Sequence, residues 1–247
     1  MLRKVLEEYR DGFRWSRFKE TYHYTMLWYY LYLFCFFPII LNINEETVKL
    51  GAYYLTMLPV MLGMYTVAAI PIRLPKQMFL CPMAQAERKK YVTMLFGVRY
   101  LGTVIPGTIA YIIAVACKMI PTIFLPMQLL GLYTCVFCAS ITTWPGSTWE
   151  RNEKEKIRLK NPKLKGLYPK STIGLIMGML LQMLEPFGLF EGKSKGAWIF
   201  LGSCCVVVVI LSILVARYLS TVLEMTINYE YSYDVARVDG KKGIMGE

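Results

Sequence analysis

Long runs without a charge alternate with short basic segments, and this alternation most constrains what the chain can fold into. Residues 21–44, 50–72, 100–117, 119–149, 171–184 and 196–216 contain no Lys, Arg, Asp or Glu. About 20 apolar residues in a helix cross the roughly 30 Å hydrocarbon core of a bilayer. The pattern therefore predicts an all-α membrane protein with six transmembrane helices, near 24–42, 50–70, 92–117, 120–143, 172–190 and 197–216. At 55% hydrophobic residues, little polar surface remains to cover a water-soluble core. The expected organisation is an interfacial helix over 1–23, a six-helix domain over 24–216 with polar loops at 71–91 and 144–170, and a tail from 217 to 247.

Residues 1–20 mix acids and bases and lack the apolar core of a cleavable signal peptide. They show helical periodicity instead. Leu2, Leu6, Tyr9 and Phe13 form one stripe with Val5 beside it, while Lys4, Glu7, Glu8, Asp11 and Arg14 fall elsewhere. Trp15, Phe18, Tyr22, Tyr24 and Trp28 lead into the first span. That is the pattern of an amphipathic helix lying in the membrane interface, followed by an aromatic belt.

Charge sets the expected orientation. Of the 28 Lys and Arg, 23 fall in the N-terminal segment, the 71–91 loop, the 144–170 loop and the tail. Lys49, Lys118, Lys193 and Lys195 lie on the other side, and Arg99 lies within a span. By the positive-inside rule both termini and both basic loops face the cytosol, and the outer loops are very short.

Few residues offer chemistry. Cys135-Val-Phe-Cys138 has redox-motif spacing, but it sits in the fourth span, and a metal would want further ligands at fixed spacing. Buried, inert cysteine is the reading for these and for Cys35, Cys117, Cys204 and Cys205. His23 is the single histidine and supports no zinc or catalytic constellation. Gly188-Leu-Phe-Glu-Gly192-Lys193-Ser194 has three residues between its glycines where a phosphate-binding loop needs four. No catalytic residue, metal site or bound cofactor is expected in this chain. Two ionisable groups fall within spans, Arg99 and Glu185. A charge inside a bilayer costs on the order of 3 kcal/mol, so both are candidates for a substrate pathway. Arg99 is also shallow enough to snorkel to the interface, and Glu185 precedes Pro186 near an outer end. Pro38, Pro59, Pro106 and Pro126 interrupt apolar runs and would kink helices.

Two loops carry the remaining signal. In 144–170, Ser147 and Glu150 have capping-box spacing, which predicts a helix over about 148–160 that ends at Asn161-Pro162. Its basic surplus suits anionic headgroups. In 71–91, Pro82 can start a short helix. Ala84 to Tyr91 are good helix formers, with Glu87 early and Lys89 and Lys90 late, in favour of the helix dipole. A short charged helix joining two spans is a lever, since force on it tilts both.

Pro82-Met-Ala-Gln-Ala-Glu87-Arg88-Lys89-Lys90-Tyr91, placed after a second span and before a third, resembles the motif of ABC-2 type permeases. The interfacial N-terminal helix, six spans and tiny outer loops look like the same family. At the level of architecture the resemblance covers 1–216, and at the level of motif about a dozen residues. Residues 191–196 are too few for the re-entrant helices of larger relatives, and the 144–170 loop is unusually basic. The resemblance implies a bacterial cell-membrane exporter built from two six-span subunits, a second copy of this chain or a related permease, and two copies of a separate ABC ATPase that binds ATP and Mg. Pro82, Ala84, Glu87, Arg88, Lys89, Lys90 and Tyr91 would then form the coupling helix seated in the ATPase. The implied cargo is amphipathic, and a toxin or bacteriocin peptide is the reading preferred among such cargoes. Membrane lipids are further partners, and no nucleic acid is expected.

Two rival readings belong to other classes. An ion- or proton-coupled secondary transporter predicts internal repeats and a midplane site, and no repeat relates spans 1–3 to 4–6. A membrane-embedded enzyme predicts clustered acids or histidines near one interface, and one histidine does not make a cluster.

Overall fold

A computed structural model describes residues 2, 3, 5, 6, 84–116, 122–144, 149–151, 157–159, 162–184 and 195–227. The expected first and second spans, Pro82, Glu185 and the tail from 228 lie outside these residues. The described chain is helical apart from one short strand pair. The helices are α1 (Gln85–Ala116), α2 (Leu125–Thr142), α3 (Leu167–Leu184), α4 (Lys195–Ala216) and α5 (Leu219–Ile227). Three stretches are long and apolar enough to cross a membrane: Gln85–Ala116, Thr122–Thr142 and Lys195–Ile227. They overlap the expected third, fourth and sixth spans, the first starting seven residues earlier and the last running eleven residues further. The Leu167–Leu184 helix covers the start of the expected fifth span. It is not among the three, because Lys170, Ser171 and Thr172 in its first turns and Gln182 near its end dilute its hydropathy.

The α1 helix corrects the expectation of a separate coupling helix. Gln85–Ala116 is one helix of 32 residues, so the charged segment and the third span share a single rod. The Ala84 carbonyl accepts from the Glu87 and Arg88 amides at 2.9 and 3.1 Å and opens the helix. Nothing between Ala84 and Tyr91 ends it, since the segment holds no Gly, Pro or β-branched residue. Pro106 lies inside the helix and is buried, and it cannot donate to the carbonyl four residues back. Pro126, expected as a mid-span breaker, instead occupies the first turn of α2. A 3-10 turn, Thr122–Phe124, precedes it, and a proline there gives up an amide that has no helical partner anyway.

The expected helix over 148–160 is not formed. Trp149–Arg151 (β1) and Ile157–Leu159 (β2) pair antiparallel, with Glu150 opposite Arg158. The physical reason lies in the pattern. Between 150 and 160 the only apolar residues are Ile157 and Leu159, two apart, which is the period of a strand and leaves a helix no stripe to bury.

Packing centres on α2, which touches α1, α3 and α4, while α3 also lies against α4. Contact between α2 and α3 is close because both present small residues. Gly131, Cys135 and Cys138 face Gly174 and Gly178. A Cβ built on Gly178 would lie 2.6 Å from the Cys135 sulfur, so no larger residue fits without parting the helices. Cys135 and Cys138 are buried free thiols. The outward side of α4 is apolar: Ile199, Phe200, Val206, Val209, Ile210 and Ile213 are all exposed, as on a lipid-facing helix. One polar link crosses from α2 to α4, Thr134 to Ser212 at 3.0 Å.

Two apolar clusters form the core. At the end of the bundle bearing the α1 start, Tyr91, Val92, Phe96, Ile141, Trp144, Leu167 and Val215 pack with Val222 and Leu223 of α5. Val5 joins this cluster and is fully buried, while Leu2 and Leu6 are exposed. The second cluster, at the other end, holds Tyr111, Ala114, Phe124, Met127, Leu132, Leu181 and Leu201.

Candidate functional site

Two polar features stand out, one at each end. At the basic end, Ala84, Gln85, Ala86, Glu87, Lys89 and Lys90 are exposed and Arg88 is half-buried. Tyr91 and Val92 are buried directly behind them. The segment is thus a charged outer face standing on an apolar footing. Lys89 reaches across to Glu224 of α5, with Nζ 2.7 Å from Oε1. Both side chains are about half exposed, so this ion pair is worth at most about 1 kcal/mol. What fixes α5 against α1 is burial of Val222, Leu223, Met225 and Ile227, at about 1.5–3 kcal/mol for each fully buried apolar side chain.

A second tie closes the same end. The chain turns at Arg217–Tyr218 between α4 and α5, and Lys170 of α3 donates to the Tyr218 hydroxyl at 2.8 Å. Phe96, Tyr100, Phe137 and Trp144 form an aromatic group between α1 and α2, with Phe96 and Trp144 edge to face at 5.1 Å. The α1 start is therefore joined to every described helix at this end, directly or through Trp144 and α5.

Of the residues singled out in the sequence, Glu87, Arg88, Lys89, Lys90 and Tyr91 lie together on the first two turns of α1, with Ala84 just before it; Ala84, Glu87, Lys89 and Lys90 are exposed, Arg88 is half-buried and Tyr91 is their anchor. Arg99 is two turns further along, only 5% exposed. Its side chain is turned inward and does not snorkel to solvent. Pro82 and Glu185 lie outside the described residues.

The far end holds a polar group that no charge-based search would find. The Tyr111 hydroxyl on α1 donates to Oε1 of Gln182 on α3 at 2.6 Å. Nε2 of the same Gln182 donates to the backbone carbonyl of Gln128 on α2 at 2.5 Å. The absent side chain at Gly131 makes room for this, since a Cβ there would lie 2.5 Å from Gln182 Nε2. All three residues are fully buried. Neither polar atom of the Gln128 side chain has a hydrogen-bond partner among the described residues. Burying an amide without partners costs about 2–7 kcal/mol, so this carboxamide is an expensive feature. The sequence did hold a signal: Gln128 and Gln182 are uncharged polar residues inside runs otherwise almost wholly apolar. Gly174-Leu-Ile-Met-Gly178 likewise has the spacing of close helix packing in membranes.

A shallow groove of about 300 Å³ on the outer side of α1 and α2 is lined by Leu101, Val104, Ile105, Ile109 and the Tyr100, Thr108 and Tyr133 side chains. Its walls are almost wholly apolar. Among the described residues no cluster of His, Cys, Asp or Glu could hold a metal ion.

No family model, curated protein or solved structure matches this chain.

Proposed function

We propose that the chain is the membrane subunit of an ATP-driven exporter of the ABC-2 type, working as a pair with two copies of a separate ATPase. The observation that carries this reading is the start of α1. Six exposed residues, Ala84 to Glu87 with Lys89 and Lys90, three of them charged, mark the start of a 32-residue helix that packs into the bundle from Tyr91 onward. At helical rise the rod is about 48 Å long. A partner that grips Glu87 and Lys90 would move α1 as a unit and, through Val222 and Leu223, would carry α5 and the end of α4 with it. The lever is then the third span itself, not a hinged helix beside it.

In this mechanism ATP and Mg sit on the partner. Closing of the ATPase pair displaces the two α1 tips, and the spans exchange inward for outward access. An amphipathic peptide is the preferred cargo. Residues 1–23, the α1 tip and the 144–170 loop would face the cytosol of a bacterial cell.

The test is gentle isolation of the chain from its native membrane. A stoichiometric ATPase in the preparation, lost when Glu87 and Lys90 are exchanged, supports the reading. A chain that isolates alone and shows no response to nucleotide refutes it. The rival reading is an ion- or proton-coupled secondary carrier. That reading expects transport to follow an ion gradient with no nucleotide present.

A further inference from the structure

We infer that the Gln128 carboxamide is a contact for the peptide backbone of the cargo, an assignment that rests on the chain being a peptide-translocating subunit. The Gln128 side chain is fully buried, and its Oε1 and Nε2 have no hydrogen-bond partner among the described residues. It stands beside a polar relay that crosses three helices, from Tyr111 through Gln182 to the Gln128 carbonyl. Among the described residues no charged side chain belongs to this group. What it offers is an NH2 donor group and a carbonyl acceptor held side by side on a single planar group. The complementary ligand also presents one N–H and one C=O side by side, as an extended peptide segment does.

Entry requires the closely packed α2–α3 seam to part. The seam between α2 and α3 beside Gln128 is made of Gly131 and Gly178, with Gln182 filling the space over Gly131. The Gln182 side chain spans the gap by two hydrogen bonds, and its rotation would release both. A backbone amide of the cargo could then take the place of either partner. In an apolar bundle a peptide must exchange its water for fixed polar groups at each step, and an amide-to-amide contact does this without trapping a charge.

The test uses the full chain alone in lipid nanodiscs, without nucleotide, so that it does not depend on the ATPase. The probe is a fluorescein-labelled amphipathic Leu/Lys peptide and the same peptide with N-methylated backbone amides, read by anisotropy above empty discs. The expected result is at least tenfold weaker binding of the methylated peptide to the natural chain. Gln128→Leu and the closer-shaped Gln128→Met should bind both peptides alike, and should melt no lower than the natural chain. Equal binding of the two peptides by the natural chain, or no binding of either, overturns the proposal. So does a tenfold preference that survives in both variants. A lower melting temperature in both variants also overturns it, because the carboxamide would then be serving internal structure. Loss of ATPase dependence in transport would sink the exporter reading while leaving these binding results standing.

Discussion

Gly178 and Trp144 show how unevenly single residues carry this structure. At Gly178 a methyl group would collide with the Cys135 sulfur at 2.6 Å. Gly178→Val should therefore separate α2 from α3 and lower stability by about 1–3 kcal/mol, the usual cost of overpacking. Thermal melting of detergent-purified protein, followed by the loss of its monodisperse peak, would read this. Trp144 is fully buried beside Phe96 and binds the last turn of α2 to α1. Trp144→Ala should cost about 3–5 kcal/mol. The Lys89–Glu224 pair is the opposite case. Lys89→Ala should change stability by less than about 1 kcal/mol, whereas Leu223→Ala, which empties the apolar footing, should cost about 2–5 kcal/mol. If the two variants melted alike, the footing would not be what holds α5. At this scale the sequence revealed the charged residues and hid the polar ones. Glu87, Lys89 and Lys90 were visible as an interruption of apolar runs. Gln128 and Gln182 did not stand out in a search for charge, and the pairing of Gln182 with Tyr111 joins residues 71 positions apart.

Helix α1 is where element boundaries matter most. Hydropathy puts the third span at 92–117, since a run of charge ends a membrane-crossing stretch. Charge does not end a helix, and with no Gly or Pro from Ala84 to Tyr91 the helix starts seven residues earlier. Spin labels at the exposed positions Ala86 and Ile109 should therefore lie about 35 Å apart in a narrow distribution, from 23 residues at helical rise. A broad or much shorter distribution would mean a hinge near Tyr91. The strand pair at Trp149–Arg151 and Ile157–Leu159 teaches the same lesson in reverse. Ser147 and Glu150 gave a local helix-start signal, but a start signal without an apolar stripe to follow has nothing to stabilise the turns beyond it. The α4 helix was read correctly over its length because it is apolar all round, and length is all that hydropathy measures.

At the scale of the described bundle, three helices long and apolar enough to cross a membrane, a small-residue seam and two core clusters give unlike ends. One end is a tied collar in which α1, α3, α5 and Val5 converge. The other holds the buried relay of Tyr111, Gln182 and Gln128. Under the proposed exporter reading, the collar would be the rigid part where force enters and the seam beside the relay the part that opens for cargo. Exchange of charge at the tip, Glu87→Lys with Lys90→Glu, should leave melting unchanged and abolish the coupling of ATP hydrolysis to export. Normal export in that double variant would remove the lever. The most direct measurement is photo-crosslinking from a single reactive residue in place of Lys90, in native membranes, with and without ATP. The expected product is one adduct with an ATPase subunit, whose yield changes with nucleotide. Adducts with lipid alone, indifferent to ATP, would contradict the docking of α1 on a motor.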